Sequence, residues 1–282
     1  MELGFSDKKG DFNYLVKGNF TFARNVINRI DEEGKRYDWQ RRTGKRIGQH
    51  FGLTDNGLYA REDFELTSNG DLVLEGGFPV LRKELPIPSY GVVYPGDIKY
   101  KDLNGDGLVD SYDEGAIGMG TVPEFIYGIT LGGGWKGLDI NMLIQGGGNA
   151  DMYFREDAAW EFSQLGKVMR HHLGRYNPDD PSTWANATYP RLHPSENTNN
   201  HRKSSYWLYS RNYVRLKNVE IGYNLPKAML SRVKINGVRF FANGNNLLTW
   251  DKMLGWDPES NSEIGSAYPQ LRTWNLGVKV TL

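Results

Sequence analysis

Residues 125–146, FIYGITLGGGWKGLDINMLIQG, set the predicted fold. Large apolar side chains alternate with small or polar ones as far as Trp135, and the alternation resumes after the dipeptide Lys136-Gly137. A period of two places successive side chains on opposite faces of a strand, and a short glycine-containing turn between two such runs is typical of an antiparallel hairpin. Each arm has about ten residues, the length that a tilted strand needs to cross a bilayer. The sequence therefore predicts a hairpin with one apolar and one polar face.

The same alternation predicts strands on both sides of this hairpin. Upstream, a short apolar piece at 2–5 is followed by a polar turn at 6–10 and then by the cleanest alternation in the sequence, at 12–23. Downstream, strand patterns cover 213–225, 238–247 and 274–282. The apolar phase shifts between Leu216 and Val219, which indicates a bulge. Pro226, at the start of 226–233, predicts one short helical turn.

The connections between these strands alternate in length. Residues 6–10, 136–137 and 226–237 make short connections, whereas 25–124, 147–211 and 249–271 make longer ones. Outer-membrane barrels have tight periplasmic turns and longer extracellular loops, so we predict that the longer loops are extracellular. Aromatic residues near the strand ends fit this prediction because such rings favour the membrane interface. A soluble β-sandwich shows the same strand alternation, so a calcium-stabilised sandwich that binds carbohydrate stays open as the alternative.

The composition argues against several other classes of protein. The 282 residues carry no net charge, which gives no reason to expect a nucleic acid partner. Because the chain lacks cysteine, neither a disulfide framework nor a cysteine metal site is possible. The first residues do not have the pattern of a signal peptide, and the abrupt strand at residue 2 predicts a truncated chain. Seven strands are too few to close around a lumen, so we predict an incomplete barrel.

Several motifs, spread over nearly the whole chain, resemble the C-terminal part of SusC/RagA-type TonB-dependent outer-membrane transporters of Bacteroidetes. The matching stretches, in the order of that family, are Gly18-Asn19-Phe20, 96–107 (GDIKYKDLNGDG), the hairpin that begins at Pro123-Glu124-Phe125, 212–218 (NYVRLKN), 222–226 (GYNLP), 245–250 (NNLLTW) and Asp257-Pro258-Glu259. The resemblance implies an all-β fold, in which antiparallel strands form the C-terminal part of a 22-stranded transmembrane β-barrel. The chain ends in Leu282, where barrels of this class usually end in an aromatic residue.

The resemblance also implies a function for the intact protein. It would import oligosaccharides or peptides across the outer membrane together with a SusD-like surface lipoprotein. The TonB complex would act through an N-terminal region and a plug domain that have no counterpart in this sequence. The predicted partners are therefore the lipoprotein, the TonB complex, outer-membrane lipid and the substrate, and the chain by itself is expected to be inactive.

One loop fits the spacing of a calcium-binding loop. Calcium needs six to eight hard oxygen ligands, and alternate positions of a tight loop converge on one point. Gly107 occupies the position of the sharp turn, and the last ligand is an aspartate where the template has a bidentate glutamate. The other interpretation is a polar turn without a metal. The predicted Ca²⁺ ligands are Asp102, Asn104, Asp106, the Leu108 carbonyl, Asp110 and Asp113.

Three tryptophans in the loop 147–211 are candidates for substrate binding. Trp160, Trp184 and Trp207 offer flat apolar rings with a polar edge, which suit stacking on sugars, although packing within the loop explains them equally well.

Other polar pairs in the same loop suggest no chemistry. Adjacent residues such as His171 and His172 do not share a helix face, so we interpret them as a solvated pair rather than as metal ligands. The acidic pairs Glu156-Asp157 and Asp179-Asp180 give no paired catalytic geometry, so no enzyme activity is predicted.

Overall fold

The computed structural model describes residues 1–194, 197–230 and 235–282. The fold is all-β, as predicted, and is dominated by one antiparallel sheet of seven long strands, here called the wall. Each strand of the wall pairs with the next one along the chain. The strands are β1 (Glu2–Lys9), β2 (Phe12–Phe22), β3 (Phe125–Trp135), β4 (Leu138–Gly148), β5 (Tyr213–Asn224), β6 (Gly237–Trp250) and β7 (Thr273–Thr281).

The hairpin β3–β4 forms as predicted, in an unbroken register from Phe125 opposite Gly148 to Trp135 opposite Leu138. Its two-residue turn places Lys136 at φ 47° and Gly137 at φ 90°, and glycine adopts such angles at little steric cost. The first hairpin corrects the sequence prediction, because residues 6–9 continue β1 and the turn contains only Gly10 and Asp11. Four consecutive polar residues at the end of this strand were mistaken for a turn.

The predicted bulge lies in β5, where the register with β6 shifts between Leu216 and Asn218. The predicted helical turn after Pro226 is a short helix, α1 (Lys227–Leu230), and residues 231–233 of that prediction lie outside the described part of the chain. Among the described residues, no helix is long and apolar enough to cross a membrane.

The register sorts the side chains of the wall onto two different faces. Cross-strand partners lie on the same face of a sheet, so apolar residues on neighbouring strands form one continuous surface. One row of partners is Phe5–Val16–Leu131–Met142–Val219, and another runs Ile140–Ile221–Ala242–Leu276. The opposite face carries polar residues such as Lys17, Asn141, Glu220, Arg239 and Asn243.

The apolar face of the wall is not covered in the described part of the chain. The exposed fraction is 60% for Phe5, 70% for Trp274 and 87% for Leu276. A sandwich would need a second sheet packed over this face, so the structure does not support the soluble alternative.

The main hydrophobic core lies outside the wall, in the connecting segments 23–124, 149–212 and 251–272, whose described residues we call the loop layer. Its most buried side chains include Leu53, Ile98, Phe154 and Trp207. Sequence periodicity did not predict this core, because its residues come from very short strands and single turns. The short paired strands are Gln49–Gly52 with Gly115–Gly120, Asp55–Leu58 with Ile98–Tyr100, Leu74–Glu75 with Phe78–Pro79, Ile87–Pro88 with Leu108–Val109, and Asp151–Tyr153 with Leu208–Ser210. The single 3₁₀ turns are Asp38–Gln40, Arg61–Asp63, Ser111–Asp113, Glu156–Ala158, Ser163–Leu165, Arg170–Gly174, Pro181–Thr183 and Ser205–Trp207.

Candidate functional site

The polar face of the wall is lined by hydrogen-bonded charges. Arg239 on β6 donates from Nη2 to Glu220 at 2.8 Å and from Nε to Asp139 at 3.1 Å, so it joins three neighbouring strands. Nearer the loop layer, Asn218 and Asn245 pair at 2.8 Å. Charged groups with satisfied partners are typical of the inside of a large barrel, where the wall faces water.

Residues 257–260, here called the inner strap, lie against the polar face at the end near the loop layer. Arg211 donates to the carbonyls of Pro258 and Ser260 at 2.9 and 2.7 Å. Arg215, whose side chain is only 1% exposed, pairs with Asp257 at 2.8 Å and also with Glu259. Lys217, two residues after Arg215, lies on the same face, where its ammonium is 3.1 Å from Glu259. Two arginines and a lysine therefore fix a loop segment over the inner surface of the wall.

A second group of charges joins the wall to the loop layer. Glu124, just before β3, accepts two hydrogen bonds of 2.7 Å from Arg24 and one of 3.1 Å from Asn149, and pairs with Arg46 at 2.7 Å. The hydrogen bond from Arg24 is the main reason that the pKa of Glu124 falls to about 2. Glu124 is therefore charged over the whole physiological range.

The predicted calcium loop folds as a compact turn on the surface of the loop layer. The Asp102 carboxylate accepts hydrogen bonds from the backbone N–H groups of Gly105 and Gly107 at 2.6 and 2.9 Å. The fully buried Asp113 carboxylate accepts from the N–H groups of Leu103 and Asp110 at 2.7 and 2.9 Å.

In this arrangement each carboxylate of the loop accepts at least one hydrogen bond from a backbone N–H of the same loop. Asn104 and Asp106 bond each other, and Asp110 caps the turn Ser111–Asp113 through the N–H of Tyr112 at 2.7 Å. The Leu108 backbone lies in a short strand. Across the described residues, no three His, Cys, Asp or Glu side chains are grouped as metal ligands would be. Calcium binding by this loop therefore stays a prediction of the sequence.

The three candidate tryptophans occupy different environments. Trp207 is fully buried and donates from Nε1 to the Asn200 carbonyl at 2.7 Å, so it is a core residue and offers no face to a sugar. Trp184 stacks on Tyr176 and donates to the Asn177 carbonyl at 2.7 Å. Trp160 is partly buried and lines a cavity, described below.

Of the two adjacent histidines, His172 is buried and His171 is partly buried. Nε2 of His171 and Nε2 of His172 both lie near the Ala159 carbonyl, at 3.1 and 3.2 Å. Burial lowers the pKa of both imidazoles. The prediction of solvent exposure was therefore wrong for His172, which is 2% exposed.

The structure reveals a buried ionisable network that sequence reasoning missed. Nε2 of His193 lies 2.7 Å from the Asp97 carboxylate, which is fully buried, and Nε2 of His201 lies 3.3 Å from the buried Glu161. The members of each pair are 96 and 40 residues apart in the chain, so no local motif could reveal them.

Comparisons with known proteins agree with this architecture. TonB-dependent receptor P3 of Formosa agariphila is 27% identical over 252 residues, which cover 85% of this chain and 22% of that receptor. TonB-dependent receptor P26 of the same organism is 27% identical over 206 residues, which cover 66% of this chain and 20% of that receptor. The chain therefore spans about a fifth of the length of these curated relatives. No family model matches the chain.

Solved structures with a similar fold include the RagAB peptide transporter, with a TM-score of 0.68 and 20% identity over 99% of this chain and 28% of that chain. The RagAB peptide importer in its open-open state gives a TM-score of 0.65 and 19% identity over 100% of this chain and 28% of that chain. The fold thus matches about a quarter of each of those chains, as one long antiparallel sheet with its loops. Together with the sequence relatives, it confirms the predicted resemblance to SusC/RagA-type TonB-dependent receptors.

Proposed function

We propose that this chain forms part of the wall and the extracellular loops of a TonB-dependent importer in the outer membrane of a Gram-negative, Bacteroidetes-like cell. The observation that carries the proposal is the contrast between the two faces of the wall. One face is a continuous uncovered apolar surface, and the other carries ion pairs such as Arg239–Glu220. Lipid on one side and a water-filled lumen on the other satisfy both faces.

In this proposal the three longer connections, predicted at 25–124, 147–211 and 249–271, face the outside of the cell. All three leave the wall at the same end of its strands, because they follow every second strand of an antiparallel sheet. The loop layer has its own core, so it provides a rigid rim on which a surface lipoprotein of the SusD type would close. RagAB, whose fold is similar, is a peptide importer, which supports a peptide as cargo, and an oligosaccharide is the other substrate class that we propose.

The experiment is to raise an antibody against residues 149–194 and to apply it to intact and fractionated cells of the source organism. We expect labelling of intact cells and a band in the outer-membrane fraction. A band found only in the soluble fraction would contradict the proposal.

The lipoprotein partner requires a separate test. Mild detergent extraction and precipitation with the same antibody should recover a lipid-modified surface protein in constant proportion to the receptor. Recovery of the receptor without such a protein would contradict the partner while leaving the membrane location intact.

A further inference from the structure

The loop layer contains a cavity that lies apart from the calcium loop and from the polar face of the wall. Its volume is about 340 Å³, and its lining includes Glu156, Trp160, Glu161, Ser163, Gln164 and His201. A cavity of this size is at the lower end of the range for small-molecule sites, so it suits one ligand group rather than a whole oligomer.

The backbone around this cavity is held in an unfavourable conformation. Three residues that line it, Glu156, Phe162 and Gln164, have φ values of 48°, 50° and 51°, in the left-handed region that non-glycine residues avoid. Such angles persist only where the surroundings enforce them, and they cluster at binding sites.

The wall of the cavity contains a fixed carboxylate. Glu161, whose side chain is 1% exposed, accepts hydrogen bonds from the Tyr189 hydroxyl at 2.8 Å and from the His193 backbone N–H at 3.1 Å. Nε2 of His201 lies 3.3 Å from the same carboxylate. Burial opposes ionisation of Glu161, but the hydrogen bonds that it accepts from His201 and Tyr189 favour it, so the pKa of Glu161 lies below its ordinary value. Glu161 thus supplies a permanent negative charge.

Two polar atoms beside this carboxylate have no hydrogen-bond partner among the described residues. The rings of Trp160 and His201 stack with centroids 4.5 Å apart, and Nδ1 of His201 and Nε1 of Trp160 are both buried and unpaired. The His201 side chain is only 6% exposed. If Nε2–H of His201 donates to Glu161, Nδ1 remains an unfilled acceptor, while the Trp160 N–H remains an unfilled donor.

The lining is rich in acceptors and, within the described residues, contains no lysine or arginine. Arg155, next to the lining, pairs with Glu156 and also with Glu263 at 3.1 Å, so its charge is shared between two carboxylates. Acceptor-only carboxylates and an aromatic pair favour a cation with several N–H donors. The Trp160 N–H adds a preference for an oxygen acceptor next to that cation.

We propose that this cavity binds a primary ammonium group with a neighbouring oxygen, as found at the N-terminus of a peptide and in a 2-amino sugar. This inference deepens the proposed importer function, because it assigns to the loop layer a subsite for one end of the cargo.

The test is calorimetric titration of the full receptor that carries this chain, purified in detergent. The probes are dialanine amide against its N-acetylated form, and glucosamine against N-acetylglucosamine. We expect at least one amine to bind and its acetylated form to bind at least about tenfold more weakly, the loss of one charge-assisted hydrogen bond. Whichever amine binds identifies the source of the ammonium group. Equal affinity within both pairs, or no binding of either amine, would overturn the proposal.

Two variants and a control assign the binding to this cavity. Glu156→Gln removes a lining charge and should weaken amine binding about tenfold, whereas Glu62→Gln, at an exposed carboxylate elsewhere, should leave binding unchanged. Gln164→Gly removes a lining side chain. Because glycine adopts the left-handed φ of this position without steric cost, the substitution should not unfold the loop, and weaker binding would report the lost side chain. Unchanged binding in both variants would place the amine elsewhere and overturn the assignment. Because the titration needs no membrane, its failure is distinguishable from a failure of the cell-fractionation test.

Discussion

The guanidinium of Arg215 lies 2.8 Å from the carboxylate of Asp257, so the polar face of β5 holds the inner strap in place. The same guanidinium donates to Gln270 at 2.7 Å and to the Thr249 hydroxyl at 3.0 Å, so most of its N–H groups have a hydrogen-bond partner. This arrangement makes the strap a fixed part of the inner surface and not a free loop.

We expect Arg215→Met to release the strap, because it leaves Asp257 and Glu259 without their buried partner. Breaking a buried ion pair from one side costs about 3–5 kcal/mol. Hydrogen exchange and limited proteolysis of the receptor should show opening within 251–272. The control is Lys217→Met, which removes a partly exposed partner of Glu259 and should cost less than about 1 kcal/mol. Equal protection in wild type and Arg215→Met would contradict the role of this residue.

The orientation of the wall is tested by two neighbouring residues in the middle of β6. Ala242 lies on the apolar face between Ile221 and Leu276, and Asn243 lies on the polar face between Glu220 and Asn275. An arginine on the lipid side of a barrel costs about 2–4 kcal/mol near the bilayer midplane. Ala242→Arg should therefore reduce stability in lipid vesicles, measured by urea unfolding, while Asn243→Arg should change it little. The opposite order would mean that the two faces are assigned the wrong way round.

The burial of Trp207 predicts a large effect on the loop layer. Replacing a buried large aromatic residue by alanine costs about 3–5 kcal/mol, and here it also leaves the Asn200 carbonyl without its donor. Trp207→Ala should expose the loop layer to protease, whereas Trp184→Ala, at a partly exposed ring, should have a smaller effect. Similar losses in the two variants would be inconsistent with a core role for Trp207.

Calcium binding by residues 102–113 is tested by thermal unfolding of the receptor with calcium or a chelator. If the predicted site exists, a calcium concentration of about one hundred times Kd should stabilise the fold by about 2.7 kcal/mol. Asp106→Asn keeps the shape of an exposed predicted ligand and should reduce this gain. No response to calcium in the wild type would leave residues 102–113 as a polar turn that is stabilised by its own hydrogen bonds.

The buried imidazole of His172 predicts a dependence of stability on pH. Its Nδ1 accepts the Met169 N–H at 2.8 Å, and burial lowers its pKa below the ordinary value of 6.5. A lowered pKa means that protonation costs more in the folded state, so this stabilisation is complete above about pH 6.5 and is lost as the pH falls below it. We expect the urea midpoint to drop between pH 7.5 and pH 5.5. His172→Asn keeps an acceptor but does not titrate, so it should show a smaller drop. The same drop in the variant would assign the effect to other groups.

The wall could be predicted almost completely from the sequence, because a two-residue period is a local property. The hairpin at Lys136-Gly137 and the bulge after Leu216 both appear where the pattern placed them. The error at residues 6–9 has the same origin, since a polar strand end and a polar turn have similar compositions. The resemblance to TonB-dependent receptors could also be recognised from the sequence, because each of its motifs is a short contiguous stretch.

The sequence by itself determined a two-faced antiparallel wall, the turn at Lys136-Gly137 and the resemblance to TonB-dependent receptors. Only the tertiary structure decided that the core lies in the loop layer, that Trp207 is buried while Trp160 lines a cavity, and that Glu161 meets His201. The physical reason is that the alternation of neighbouring residues decides which face of a strand a side chain occupies. These contacts instead join side chains that are far apart in the sequence and lie in segments without periodicity. Their partners are selected by packing and by the need to pair buried polar groups, which only the folded chain brings together.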